Sequence, residues 1–180
     1  MKKTTIISFL IIIFIHFIYA GASEDLLAAV KNGDIAAAQI ALKKGADVNT
    51  QDNEGENVLM IASLYGKTEL VKLLIKAGAN VNAKQKTGWT ALIMASAYNH
   101  IAIVNMLLKS GADVNASDDQ GYTALMRGAR FGYVTIVKIL LKAGANVHAK
   151  TKNGKTALTA AKWSRNRYII YLLKQAGARE

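Results

Sequence analysis

The sequence predicts an all-α solenoid whose unit is a pair of short helices joined to the next pair by a β-hairpin loop, with a period of 33 residues. Three observations carry this. Gly55, Gly88, Gly121 and Gly154 stand 33 apart, as do Leu26, Leu59, Leu92, Leu125 and Leu158, and Gly45, Gly78, Gly111, Gly144 and Gly177. Short strings recur in phase with them: Ala46-Asp47-Val48-Asn49, Ala79-Asn80-Val81-Asn82, Ala112-Asp113-Val114-Asn115 and Ala145-Asn146-Val147-His148. Within each unit apolar residues fall at helical spacing between stop signals. A unit this small buries its apolar face only against a neighbour, so stacking is required.

The chain opens with a different segment. Lys2 and Lys3 precede an apolar run from Ile6 to Tyr19, and Ala20-Gly21-Ala22-Ser23 follows. A basic start, an apolar middle and a small-residue exit form the pattern of a secretory signal peptide. The run is shorter than the roughly 20 residues a membrane-spanning helix needs. Residues 1–22 are expected to be a signal peptide cut after Ala22, with Ala20 the near alternative and an uncleaved signal anchor the competing reading. The protein is then exported, periplasmic or secreted, with residues 23–180 as the repeat domain.

The units divide as 24–51 (an N-terminal cap), 52–84, 85–117, 118–150 and 151–180 (a C-terminal cap). In 85–117, Thr90 is placed to cap the first helix with its hydroxyl, and Ala91, Leu92, Ala95 and Ser96 continue it. Asn99 ends it where Gly33, Gly66 and Gly132 stand in other units, a position that asks for left-handed backbone. Ile103, Val104, Leu107 and Leu108 form the stripe of the second helix, and Gly111 stops it. The first unit lacks a hairpin and has an alanine-rich second helix (Ala36, Ala37, Ala38, Ala41). The last carries Lys174 and Gln175 on its outer side, as a terminal unit should. Arg165 replaces the inter-helix glycine there, which predicts strain and the least regular unit.

Composition removes several function classes. With no cysteine there is no disulfide, thiolate metal site or thiol nucleophile. His16 lies in the leader, and His100 and His148 have no ligand companions at metal spacing. Ser63, Ser96 and Ser110 lack a nucleophile setting. Asp118 and Asp119 read as turn residues. No catalytic, cofactor-binding or metal residue is assigned, no cofactor is expected, and the chain does not read as an enzyme. Charge is uneven. Residues 23–119 hold 9 Lys/Arg against 11 Asp/Glu, whereas 120–180 hold 12 against Glu180 alone. This suggests an acidic partner or surface, or simply lysine-rich solvated faces.

The 33-residue step, the Gly-x-Thr-Ala-Leu strings (Gly88–Leu92, Gly121–Leu125, Gly154–Leu158) and the Gly-Ala-Asp/Asn-Val-Asn strings resemble the ankyrin repeat, from about Glu24 to Arg179. The family's Thr-Pro-Leu-His stands here as Asn57-Val58-Leu59-Met60, Thr90-Ala91-Leu92-Ile93, Thr123-Ala124-Leu125-Met126 and Thr156-Ala157-Leu158-Thr159. Losing the histidine removes side-chain hydrogen bonds between neighbouring loops.

The resemblance implies a protein-binding surface over the hairpin tips and the exposed, concave side of the first helices. Carried over by position, the tips are Asn53, Glu54 and Glu56; Lys86, Thr87 and Trp89; Asp119, Gln120 and Tyr122; and Lys152, Asn153 and Lys155. The helix positions are Leu64 and Tyr65; Ala97 and Tyr98; Arg130 and Phe131; and Trp163 and Ser164. Framework positions repeat, whereas these do not, so they are the positions open to a partner. Trp89, Tyr122, Phe131 and Arg130 are expected at the centre, since aromatic and arginine side chains dominate interface energetics. For Tyr98 and Phe131 the alternative is packing between adjacent first helices. The expected partner is a protein of acidic character bound by a monomer. The alternative function is an electrostatic binder of nucleic acid or an anionic surface through the basic C-terminal repeats. Export argues against nucleic acid, and membrane contact is expected only through the leader or the basic end.

Overall fold

Each hairpin-bearing unit begins its first helix with a side chain able to satisfy an orphan backbone donor. Asn57, Thr90, Thr123 and Thr156 sit in extended backbone. Each accepts a hydrogen bond from the N–H three residues on, at 2.9, 3.3, 3.3 and 3.3 Å. The apolar runs that follow then have a fixed start and a face to bury.

The computed structural model describes residues 21–179, which contain ten helices and no strand. Helix α1 covers residues 21–32 and α2 Ile35–Lys43. The hairpin-bearing units contribute α3 Val58–Leu64 and α4 Thr68–Lys76, then α5 Ala91–Ala97 and α6 Ile101–Lys109. They continue with α7 Ala124–Arg130 and α8 Val134–Lys142, and end with α9 Ala157–Trp163 and α10 Arg167–Gln175. From α3 to α9 the first helices pack on one another in chain order, and from α2 to α10 the second helices do the same, which makes two layers. The all-α solenoid is therefore as expected. The expected leader lies outside the described residues except for Gly21 and Ala22, both in α1, where Ala22 is buried.

The core follows the period. Leu59, Leu92, Leu125 and Leu158 are buried in the first layer, and Leu74, Leu107, Leu140 and Leu173 in the second. Each such side chain contributes about 1.5–3 kcal/mol. A second column fixes register. The Asn49, Asn82 and Asn115 carboxamide oxygens accept from the backbone N–H of Asn80, Asp113 and Asn146 in the next unit, at 2.8, 2.8 and 2.7 Å. These bonds link neighbouring loops without the family's histidine. Ser23 Oγ supplies the same kind of bond to Asp47 at 2.9 Å. At about 1 kcal/mol net apiece they add less than the leucines but tie one unit's loop to the next.

The hairpins are turns, not strands. Asp52, Gln85, Asp118 and Thr151 donate their N–H to the carbonyls of Glu56, Trp89, Tyr122 and Lys155, and among the described residues only two antiparallel bridges form, Gln51 with Asn57 and Ser117 with Thr123. Asn99 and Arg165 adopt φ of 61° and 53°, as their place in the glycine column requires. The last unit keeps helices of seven and nine residues, but its inter-helix turn departs from the others as expected: Asp34, Lys67, His100 and Tyr133 N–H bond back to the carbonyls of Ala29, Ala62, Ala95 and Gly128, whereas Asn166 N–H reaches Ser164 Oγ at 3.4 Å. One closing bond remains, from Arg165 N–H to the Lys162 carbonyl. Replacing Arg165 with glycine removes the Cβ conflict and should raise stability by about 1 kcal/mol, read as a higher midpoint in urea. An unchanged or lower midpoint would count against strain at this position.

Candidate functional site

Units that stack in register bring side chains 33 residues apart into rows. At the ends of the first helices this makes an aromatic row. Tyr65, Tyr98 and Phe131 are 60 %, 55 % and 50 % exposed, and Trp163, one position out of register, is 63 % exposed. Tyr98 stacks on His100 at 6.5 Å and Phe131 on Tyr133 at 5.9 Å. Each aromatic therefore rests on the start of its own second helix and keeps about half its surface in solvent. Of the other helix positions, Leu64 and Ser164 are half-buried and Ala97 is buried.

The row's footing includes His100. Its Nε2 lies 3.0 Å from the Leu64 carbonyl of the preceding unit, and a Cβ at Gly66 would fall 2.6 Å from the imidazole. Gly66 thus serves both the left-handed turn, with φ of 68°, and the close approach of a ring.

The hairpin tips form a second row and are tied to one another. Asp119 N–H donates to the Thr87 carbonyl and Lys152 N–H to the Gln120 carbonyl. Lys86 Nζ donates to the Asn53 carbonyl at 2.6 Å. Glu54, Lys86, Asp119 and Lys152 are exposed, and Glu56 and Lys155 are half-buried.

Trp89 and Tyr122 have a role that was not anticipated. Both are half-buried against the core, and the Arg127 guanidinium lies 4.4 Å from the centre of each ring. The same guanidinium meets Asp118 Oδ2 at 2.6 Å, with the Asp118 side chain only 3 % exposed. Asp118 Oδ1 accepts the N–H groups of Gln120 and Tyr122. Asp118 is thus a turn residue, as expected, and also half of a buried ion pair. The pair clamps two hairpins, and the guanidinium covers one side of each ring. Arg127 was missed in the sequence although a signal was there: Ile61, Met94 and Ala160 occupy its column.

At the first hairpin Asp52 meets Lys31 at 3.2 Å. Burial alone would raise the Asp52 carboxyl, but the Lys31 ammonium and the N–H groups of Glu56 and Glu54 outweigh it and hold the group below the usual aspartate range. Burial, and then the Asp52 charge, push Glu56 up.

Electrostatically the rows run from Glu54, Glu56 and Asp52 at one end to Arg130, Lys152 and Lys155 at the other. Among the described residues no group of three or more metal-ligating side chains converges, and no helix is long and apolar enough to cross a membrane. What the surface offers is aromatic contact area and a change of charge along its length, the features of a macromolecular interface.

A family model described as ankyrin repeats (3 copies) matches residues 26–118, and a second, ankyrin repeats (many copies), matches residues 107–161. No curated protein matches the chain.

Two predictions follow from the ion pairs. Arg127→Met strands a buried carboxylate and should cost about 3 kcal/mol. Adding Asp118→Gln installs the Gln85 and Met94 residues of the preceding unit and should recover most of the loss, as read in a double-mutant cycle of urea midpoints. Equal stability of the two variants would show that Asp118 does not need its cation. For Asp52, a lowered pKa means stabilisation that is complete above the ordinary aspartate range and lost as pH falls through the folded value. Lys31→Met should therefore lower Tm at pH 7, with the gap closing in acid. A gap that is constant with pH would remove Lys31 as the cause.

Proposed function

The chain belongs to the ankyrin-repeat family, and from that premise we propose that it is an exported module that binds a protein through its hairpin tips and the exposed side of its first helices. Ankyrin repeats generally mediate protein–protein interaction and are typically non-enzymatic. In this reading no residue is catalytic and the monomer presents the surface.

The observation that carries the proposal is the aromatic row. Tyr65, Tyr98, Phe131 and Trp163 keep half or more of their surface in water while the framework around them is buried unit after unit. Large aromatic side chains held on a rigid scaffold are the preferred anchors of interfaces, because little conformational entropy is lost when they are covered. Export rests on the basic, apolar and small-residue order of residues 1–23. Ser23, with its bond to Asp47, remains in the chain whether cleavage follows Ala20 or Ala22.

Cell fractionation with intact-mass measurement of the exported chain, together with affinity capture using full-length wild type and a Tyr98→Ala/Phe131→Ala variant, tests the reading. The expected outcome is a mass starting at Gly21 or Ser23 and a partner captured by wild type but depleted at least about tenfold on the variant. Equal recovery by both baits would discard the surface, and an unprocessed cytoplasmic chain would discard export. A nucleic-acid or phosphate partner would instead show log affinity falling linearly and steeply with log salt.

A further inference from the structure

Among the described residues Trp163 is the most exposed of the large hydrophobic side chains, and two cations lie against it. Arg130 Cζ is 5.3 Å from the centre of its ring and Lys155 Nζ is 4.9 Å away. Tyr122, Thr156 and Thr159 complete a small cleft around them. The two threonine hydroxyls are spent on each other's backbone in the helix cap. Neither cation has a carboxylate within ion-pair distance among the described residues. This differs from Arg127 one turn earlier, whose charge is met by Asp118.

We propose that this cleft takes a carboxylate side chain from an acidic segment of a partner protein, held between the Arg130 and Lys155 head groups, with the indole as the wall that orients both cations. The proposal rests on the reading that this side of the solenoid meets a protein, and it names the chemistry of one contact. Contact with the ring holds each cation near a fixed place, so less side-chain entropy remains to be lost on binding. A planar guanidinium matches a carboxylate with two parallel hydrogen bonds. The surroundings add to this, because the last 61 residues carry 12 basic side chains and one acidic. A nucleic-acid strand fits less well. Stacking bases need open aromatic faces, but here cations lie over the Trp163 ring and Arg127 lies over Tyr122.

The test uses the full chain, a fluorescein-labelled glutamate-rich peptide read by anisotropy, and oligothymidylate and phosphatidylserine vesicles as competing anions. Removing either cation, by Arg130→Gln or Lys155→Gln, should weaken peptide binding by about tenfold. Lys109→Gln/Lys142→Gln, which removes two charges from the far ends of second helices, should change it by less than about twofold. Equal weakening in the far-end variant would overturn the cleft in favour of diffuse charge. Oligothymidylate or vesicles binding the wild type more tightly than the peptide does, with the same dependence on Arg130 and Lys155, would overturn the acidic segment as ligand. The two readings also fail separately. Partner capture lost with Tyr98→Ala/Phe131→Ala but kept with Arg130→Gln/Lys155→Gln would sink the cleft alone. The reverse pattern would sink the aromatic row and leave the carboxylate contact standing.

Discussion

Each helix pair in this protein has an apolar side that it cannot cover by itself, and a neighbour has to cover it. Leu92 and Leu107 lie in one unit, yet their burial is completed by units whose own leucines stand at the same positions. The requirement repeats, so the same residue types recur every 33 positions, and helices with identical bounds result. Stability of this kind is a sum of nearest-neighbour contributions, which is why a chain without cysteine can hold an elongated form. The asparagine bonds from Asn49, Asn82 and Asn115 run along the same direction as the packing and set how far one unit can slide against the next.

Function then has to be placed where packing makes no demand. The ends of the first helices and the tips of the hairpins satisfy that condition, and there the side chains stop repeating. The two kinds of position are not sharply separated. Glu56, Trp89, Tyr122 and Lys155 occupy one column, and the middle two have been drawn inward around Arg127. A variable column can thus be partly structural, with a cation between two rings and a buried carboxylate completing the arrangement. The neighbours Arg130 and Phe131 stay exposed.

Much of the fold was legible in the sequence. The helix cap at Thr90, the left-handed turn at Asn99 and the two-helix first unit all followed from residue type and spacing, because local chemistry decides them. The aromatic row was legible for the same reason: it needs only the period and the end of a helix. The Arg127 clamp was not, since it joins residues from two units and turns on which way three long side chains point. Nor could spacing tell that Tyr98 and Phe131 stack on His100 and Tyr133 within their own units; that depends on rotamers, which a period does not encode. The irregularity expected around Arg165 is confined to the turn between the helices, where Asn166 N–H turns to Ser164 Oγ, while both helices keep the lengths of the other units.

The links between hairpins are graded along the chain. The second and third, and the third and fourth, share a main-chain hydrogen bond through Asp119 and Lys152, whereas the first is joined to the second by the Lys86 side chain. A visiting molecule therefore meets a preset edge at the positively charged end and a more adjustable one at the other. For the acidic partner proposed above, long-range attraction would favour first contact at the preset end, with the remaining contacts closing towards the N-terminus. In that case arrival would be governed by the basic units, and departure by how well the first hairpin settles.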